Sequence, residues 1–494
     1  MLRLDNVLKR SVVIVAFTCA IDLVMLLFFN VPFDWYLIPV SLCGILSGYQ
    51  IIYIFGVTNE HGLRLPLVFY FYCTLWFGCY FAPLLHFALN FWLIFNNSLV
   101  LPQKWEPYVL IVGTLNAIGL ILFIYSYKYF YGVSKVHNKV YLLLNAGKIN
   151  YVYLLCFISF VCQVIVYAKL GGLSGFIATY ETRSEDQGFA GFGLLFIISE
   201  FFPIALIFLF YIKALYSPLL RKGKSVMIFL VILFVACMLF GGLRGSRSNT
   251  ILTMLHACMV IHYFIRKFQV KEMVIGVFML ISFMYVYKFY KQGGSDAVAQ
   301  YTEGTLDVSE DKYNFNVFEM LLTDFARADI QPYMVYRVQS SNYKPKMGAT
   351  YIGGIVHYAP GVDKESLTTK KTAATELLYD YSGKAMGFYT TRIFGLLGEY
   401  ILNFGYYTAS LIFLPLAFFI ARLDKWVYSL TPADVRNFIV PLWILFIVFL
   451  FSADLDNVIF FYMKRMLLVI VMLWLVSGKF MISRGDEDIN RLAA

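Results

Sequence analysis

Charged residues are scarce in this sequence. Asp, Glu, Lys and Arg make up 14% of the 494 residues, whereas hydrophobic residues make up 60%. A soluble domain is typically about a quarter charged and about half apolar. A chain with so little polar surface does not fold in water alone, which excludes a soluble enzyme and indicates a membrane protein.

Several motifs of soluble and metal-dependent enzymes are also missing. The sequence has no HExxH, no Walker loop, no GxSxG turn and no Asp-x-Asp pair within the polar segment 290–390. All eight cysteines lie inside apolar runs, without CxxC spacing or a disulfide framework. We therefore expect no metal, nucleotide or other cofactor. The net charge of +10 comes largely from short loops between apolar runs, which favours lipid headgroups over nucleic acid as partners.

Apolar runs dominate what is present. A membrane-spanning helix needs roughly 20 apolar residues, and twelve such runs predict an all-α polytopic membrane protein with about 12 transmembrane helices. They are 11–29, 35–56, 66–95, 108–127, 149–168, 190–214, 225–241, 249–265, 273–289, 393–421, 437–453 and 458–478.

Lysine and arginine are unevenly divided between alternate loops. Loops of one set are rich in both residues, and the others hold few, which predicts that both termini lie in the cytoplasm. We predict three parts: helices 1–9 in 1–289, an extracytoplasmic loop 290–390 and helices 10–12 with a short cytoplasmic tail in 391–494. The long loop has amphipathic helical periodicity over 315–339, and its run 350–359 suits a strand or an interfacial helix.

The segment 241–249, Gly-Gly-Leu-Arg-Gly-Ser-Arg-Ser-Asn, forms a tight turn between the seventh and eighth spans. Arg244 and Arg247 lie on the side where the topology rule disfavours basic residues. Glycines allow close approach of the backbone, and the next helix points its positive end at the turn. Arginine pairs with phosphate oxygens two at a time. The turn is therefore either a phosphate or pyrophosphate site, or an interfacial turn whose arginines contact lipid phosphates.

The segment 390–405 opens the tenth predicted span. Arg392, Glu399 and Asn403 fall near one helical face. A carboxylate within a span is costly unless it is paired or faces a wet cavity. These residues predict either a polar pocket or a hydrogen bond between helices.

Within the long loop, Asp324 and Arg327 form an i, i+3 pair that suits either a surface ion pair or a site. His357, the one histidine of that loop, is a possible general base or a structural residue. Asp22 and Glu200 suit structural pairs or a proton relay. Pairing with the acids of the segment 454–457 is the simplest explanation for Lys464 and Arg465, and the role of Arg465 stays open.

Two of these features resemble the Wzy-type polymerases of oligosaccharide repeat units. The similarity comprises the glycine- and arginine-rich turn 241–249, the long loop after it, and a Gly-x-x-Gly-Glu-x-x-x-Asn-Phe-Gly pattern. That pattern is matched by Gly395, Gly398, Glu399, Asn403, Phe404 and Gly405. The resemblance covers roughly 230–425. The loop segment 356–361, Val-His-Tyr-Ala-Pro-Gly, departs from the proline-arginine element of that family.

The resemblance implies a glycosyltransferase of a bacterial inner (plasma) membrane that acts on polyprenyl-pyrophosphate-linked glycans at the outer leaflet. Arg244, Arg247 and Arg392 would then hold pyrophosphate, and Asp324, Glu399 and His357 are candidates for the base. Arg327 and Asn403 would bind glycan or support the site. A regulator of chain length is a candidate partner. An O-antigen ligase and a flippase or transporter of lipid-linked glycans are the alternatives, and the polar groups at one face favour a surface reaction over transport.

Overall fold

The computed structural model describes residues 2–29, 31, 34–60, 64–92, 99–133, 140–178, 193–244, 247–305, 322, 328–357, 367–380, 392–431 and 434–481. Almost all of these residues are helical. The helices of the first 302 residues are α1 Leu2–Phe29, α2 Leu37–Glu60, α3 Leu67–Trp76, α4 Ala82–Ala88, α5 Glu106–Val133, α6 Asn150–Lys169, α7 Gly172–Ala178, α8 Gly193–Ser199, α9 Phe202–Tyr216, α10 Gly223–Cys237, α11 Arg247–Val260 and α12 Val270–Thr302.

The later helices are shorter. They are α13 Ile330–Ser340, α14 Ala349–Val356, α15 Lys370–Tyr379, α16 Gly395–Phe404, α17 Phe413–Tyr428, α18 Val440–Ser452, α19 Leu455–Phe461 and α20 Leu468–Val476. Five-to-six-residue π-helical segments continue several helices, at Phe77–Phe81, Met238–Gly242, Ile261–Ile265 and Tyr462–Leu467. Short 3₁₀ segments lie at Ala146–Lys148, Ala409–Ile412 and Val435–Ile439.

Within the described residues, 11 helices are long and apolar enough to cross a membrane. The predicted class, a polytopic helical membrane protein, is confirmed at that level. The number of spans and their orientation stay predictions. The third predicted span is a single candidate, Leu67–Ala88, because a π-helical segment joins α3 to α4.

The tenth predicted span, 393–421, is not one continuous helix. Gly395 and Gly405 have positive φ angles of 75° and 77°, and these residues bound helix α16. Ten residues of helix extend only about 15 Å, roughly half of a hydrocarbon core. A 3₁₀ segment then leads into α17. The segment is apolar, as a span requires, but two glycines with positive φ angles interrupt the helix. Glycine adopts such angles readily because it has no Cβ.

Two further elements differ from the sequence-based expectation. Helix α12 continues to Thr302, past residue 289, where the long loop was predicted to begin. The predicted twelfth span ends at Val476, and the next residues form strand β2, Ser477–Met481. Strand β2 pairs antiparallel with β1, Val140–Leu144, with Leu144 opposite Ser477.

The chain divides into two compact units, each assembled from separate parts of the sequence. Unit 1 contains Met1–Asn138, Phe318–Ser429 and Phe446–Phe461, and unit 2 contains Lys139–Val317, Leu430–Leu445 and Tyr462–Ala494. The three consecutive parts predicted from the sequence stay a prediction.

In unit 1, helix α5 packs against α2 and α17. Gly119 permits this close packing, since a Cβ there would lie 2.2 Å from the Phe413 ring. Asp424 on α17 accepts hydrogen bonds from the Leu67 and Val68 amides at 2.5 and 3.1 Å. It thereby caps α3, which begins after a proline and has no side-chain cap of its own.

In unit 2, helix α6 packs against α8 and α9, and α10 packs against α9 and α11. The hydroxyl of Tyr287 on α12 donates to the Gly242 carbonyl at 2.5 Å, and the hydroxyl of Tyr290 donates to the Leu243 carbonyl at 2.6 Å. These bonds hold the turn between α10 and α11 against helix α12.

Candidate functional site

The turn after helix α10 brings polar groups together in unit 2. A π-helical segment, Met238–Gly242, ends this span, and α11 begins at Arg247. A Cβ at Gly241 would lie 2.3 Å from Asn249 Nδ2 and 3.2 Å from the Glu200 carboxyl. Glycine is therefore required here for the close approach of the backbone to two polar side chains.

Glu200 is the centre of this arrangement. Its side chain is 2% exposed and pairs with Arg244 at 2.6 Å and with Lys464 at 2.5 Å. The guanidinium of Arg244 also lies 3.8 Å from the centroid of the Phe196 ring. Two cations therefore share one buried carboxylate, and the aromatic ring further restrains one of them.

Arg465 adds a third cation. It is 4% exposed and donates to Thr253 Oγ1 at 2.5 Å and to the Asn249 carbonyl at 2.9 Å. Both of these acceptors are uncharged. We name Glu200, Arg244, Lys464 and Arg465 the basic cluster. Three basic side chains therefore gather around one buried carboxylate, and basic side chains grouped in this way suit an anionic ligand.

Helix α11 contributes to the same electrostatic field. Its first residue is Arg247, and Asn249 and Thr253, which help to bind Arg465, lie in its first two turns. The amino end of a helix carries about half a positive charge. A phosphate or pyrophosphate group is the kind of ligand that arginines and a helix amino end bind together.

A second polar arrangement, in unit 1, surrounds Glu399. This side chain is fully buried and accepts hydrogen bonds from Thr350 Oγ1 at 2.9 Å and from the Leu455 amide at 2.6 Å. Asn403, one turn later on α16, donates to Thr350 Oγ1 at 2.6 Å and to the Glu399 carbonyl at 2.9 Å. Glu399 and Asn403 therefore join helices α14, α16 and α19, as the helix-to-helix alternative predicted.

Asp454 extends this arrangement. It pairs with Lys370 at 2.7 Å and accepts from the Phe394 amide at 2.9 Å. Lys370 also donates to the Arg392 carbonyl at 3.1 Å, and the Arg392 guanidinium pairs with Asp329. Both ion pairs hold the segment before α16 in place. We name Glu399, Thr350, Asn403, Asp454 and Lys370 the carboxylate network.

The two carboxyls of this network have raised pKa values. Burial raises the pKa of Glu399 to about 8, and the charge of Asp454 contributes further. Burial also raises the pKa of Asp454, although the ammonium of Lys370 opposes that effect. Burial therefore favours the protonated form of Glu399, and helices enclose its side chain, so it is poorly suited to act as a base on a sugar hydroxyl.

The predicted site residues are divided between the two units. Arg244 and Arg247 belong to unit 2, whereas Arg392, Glu399, Asn403 and His357 belong to unit 1. His357 lies at the carboxyl end of α14, where its amide donates to the Gly353 carbonyl. The predicted base Asp324 and its neighbour Arg327 lie outside the described residues.

Two sequence-based expectations need correction. Arg392 does not share a helical face with Glu399, because α16 begins only at Gly395. Lys464 pairs with Glu200, and Asp454 pairs with Lys370, whereas we expected the acids of the segment 454–457 to pair with Lys464 and Arg465. Sequence distance misled here because a partner 264 residues away along the chain is adjacent in the fold.

Sequence reasoning also missed several participants. Lys370, Asp329 and Thr350 carry no signal in the sequence beyond their residue type. Glu200, Lys464 and Arg465 did carry one, since each is a charge within an apolar run. Asp22, another such charge, accepts hydrogen bonds from the Ser41 and Tyr80 hydroxyls, both at 2.9 Å. Among the described residues, no group of three or more His, Cys, Asp or Glu side chains is placed to hold a metal ion.

No model of a protein family, no curated protein and no solved structure matches this chain. The resemblance to the Wzy-type polymerases therefore depends on the motifs 241–249 and 395–405 and on the arrangement of spans around them.

Proposed function

We propose that this protein is a membrane glycosyltransferase that polymerises polyprenyl-pyrophosphate-linked oligosaccharide repeat units at the outer leaflet of a bacterial inner membrane. The growing glycan passes from its lipid carrier to the next lipid-linked unit. The basic cluster is the observation that carries this proposal, because several arginine and lysine side chains gathered at one place suit a pyrophosphate ligand. The cluster lies at the same glycine- and arginine-rich turn that resembles the polymerase family.

The reaction needs an anion site of this kind. A hydroxyl of the acceptor glycan attacks the anomeric carbon of the donor glycan and forms the new glycosidic bond. The bond from that carbon to the pyrophosphate oxygen breaks, and the lipid pyrophosphate leaves with the electron pair. Positive charges held in place before the reaction stabilise the negative charge that develops on this leaving group. Arg244 and Arg247 are the residues we assign to this role, with Lys464 and Arg465 beside them.

The attacking hydroxyl transfers its proton to a base. Of the three predicted candidates, Glu399 is fully buried and bonded to Thr350 and to the Leu455 amide, so we assign it a positioning role in the carboxylate network. Asp324 and His357 stay as the candidates for the base. Asn403 supports the network, and Arg392 anchors the segment before α16 through Asp329.

The proposal is tested with surface polysaccharide from the native host. The gene is deleted and then replaced by wild type, Arg244→Ala, Arg247→Ala or Lys224→Ala, and the glycan is separated on a gel. Lys224 is an exposed cation of unit 2 on the predicted cytoplasmic side, so Lys224→Ala is the matched control for loss of one positive charge. Immunoblotting of membranes confirms that each variant accumulates.

A ladder that collapses to single-repeat material in the deletion strain supports the polymerase. We expect wild type and Lys224→Ala to restore the ladder and the two arginine variants to fail. Loss of all repeat material indicates a flippase instead, and long chains that stay on their lipid carrier indicate a ligase. An unchanged ladder contradicts the whole proposal.

A further inference from the structure

Helix α14, Ala349–Val356, presents large apolar side chains that no other part of the described structure covers. Ile352 is 64% exposed and Ile355 is 58% exposed, and they lie three residues apart on one face of the helix. Met347, two residues before the helix, is 77% exposed. The opposite face is packed, since Thr350, Gly353 and Gly354 are buried. Helix α14 is therefore amphipathic, with an apolar side directed outward.

The packed side fixes this helix beside the end of a membrane-crossing helix. A Cβ at Gly354 would lie 3.7 Å from the backbone nitrogen of Asp456, in the first turn of the candidate span Leu455–Val476. Thr350 donates to Glu399, whose other carboxylate oxygen accepts from the Leu455 amide. Helix α14 therefore lies at one end of this candidate span, which is where a helix that crosses a membrane leaves the hydrocarbon core. At eight residues, about 12 Å, it is too short to cross that core itself.

Aromatic and basic residues surround the exposed side. Phe404, which is 39% exposed, lies beside Tyr351 with ring centroids 6.3 Å apart and ring planes tilted by 41°. A Cβ at Gly348 would lie 3.6 Å from the Phe404 ring. Lys344 is exposed just before the helix. Aromatic rings are enriched at the headgroup level, and lysine attracts anionic headgroups. An apolar face bordered by aromatic rings and a lysine therefore suits a lipid surface.

We propose that the apolar face formed by Met347, Ile352, Ile355 and Phe404 lies on the lipid bilayer, in the leaflet at the Leu455 end of that span. Helix α14 is then an interfacial helix, with its apolar side inserted among the acyl chains and Lys344 among the headgroups. The carboxylate network that α14 completes is thereby held at the membrane surface. This inference does not depend on the reaction proposed above, and its test needs no enzymatic assay.

Tryptophan substitution measures this directly. Ile352→Trp, Ile355→Trp and Lys371→Trp are purified and placed in vesicles of phosphatidylcholine and phosphatidylglycerol, with or without lipids brominated near the headgroup. Lys371 is an exposed cation on α15 of the same unit and is the matched control. Wild type already has 7 tryptophans, so its fluorescence is subtracted from that of each variant. Quenching of the remaining fluorescence by brominated lipid and by aqueous iodide is then measured. Gel filtration before reconstitution confirms that each variant is folded.

We expect brominated lipid to reduce the added fluorescence of Ile352→Trp and Ile355→Trp by at least about twofold, with little effect of iodide. The Lys371→Trp signal should respond to iodide instead. Because two positions on the same face are substituted, a folding defect in one variant leaves the other to decide the test. Quenching of both isoleucine variants by iodide alone places the face in water and overturns the proposal. Protection from both quenchers indicates a protein contact, such as a second copy of this chain, and overturns it as well.

Discussion

Single residues show how this chain keeps charge inside an apolar structure. Each buried carboxylate has specific donors: Glu200 has two cations, Glu399 has a hydroxyl and an amide, and Asp454 has a lysine and an amide. Without such partners a buried charge costs several kcal/mol. Arg465 differs, because the acceptors described above for its guanidinium are neutral.

The carboxylate that two cations of the basic cluster share leads to an asymmetric prediction. Glu200→Gln leaves Arg244 and Lys464 without their shared carboxylate, whereas Lys464→Met leaves Glu200 paired with Arg244. We expect Glu200→Gln to lower the free energy of unfolding by about 3–5 kcal/mol, and Lys464→Met to lower it less. Titration with denaturing detergent measures both, and Glu303→Gln, an exposed acid of the same unit, is the control. A larger loss for Lys464→Met would falsify the charge assignment.

Glu399 makes stability depend on pH. Its pKa is raised from 4.5 to about 8, so between these values the folded protein holds a proton that the unfolded chain has released. Stability therefore falls as pH rises through that window, by at most about 1.4 kcal/mol per pH unit from this group. The melting temperature of Glu399→Gln should change less than that of wild type between about pH 5 and about pH 8. The control Glu376→Gln alters an exposed carboxylate of the same unit and should keep the wild-type slope. Equal slopes in all three proteins would contradict this assignment.

At the scale of helices and turns, glycine decides where two predicted features change shape. Gly395 and Gly405 end α16 on either side, and Gly241 lets the chain turn against Glu200 and Asn249. The hydropathy pattern predicts the apolar runs but not these interruptions, because a glycine within an apolar run hardly changes its hydropathy.

Gly241 offers a test of the turn. Gly241→Ala places a methyl group 2.3 Å from Asn249 Nδ2, so the backbone must move. We expect the free energy of unfolding to fall by about 1–3 kcal/mol. Gly276→Ala is the control, since nothing lies within 4 Å of a Cβ at Gly276. Gly276 lies inside helix α12, so its replacement by alanine should leave stability unchanged or raise it by up to about 1 kcal/mol. Similar values for the two variants would show that the turn is not tightly packed.

For the whole molecule, the distribution of lysine and arginine predicts orientation. We expect a fluorescent protein fused after residue 494 to fold in the cytoplasm, and an epitope inserted within 358–366 to bind antibody added outside spheroplasts. The same epitope within 134–139, a predicted cytoplasmic loop, is the control and should bind antibody only after permeabilisation. Access from outside to the epitope in 134–139 but not to the epitope in 358–366, with intact cells verified, would reverse the predicted topology.

The sequence by itself determined that this is a helical membrane protein, where most of its spans lie, and which charges are unusual. These properties follow from composition and from local periodicity, which neighbouring residues set together. Only the tertiary structure decided that Glu200 joins Arg244 to Lys464, that Asp454 joins Lys370, and that the tenth predicted span is broken. Such partners are distant along the chain, so packing of whole helices selects them, and no local pattern encodes that choice.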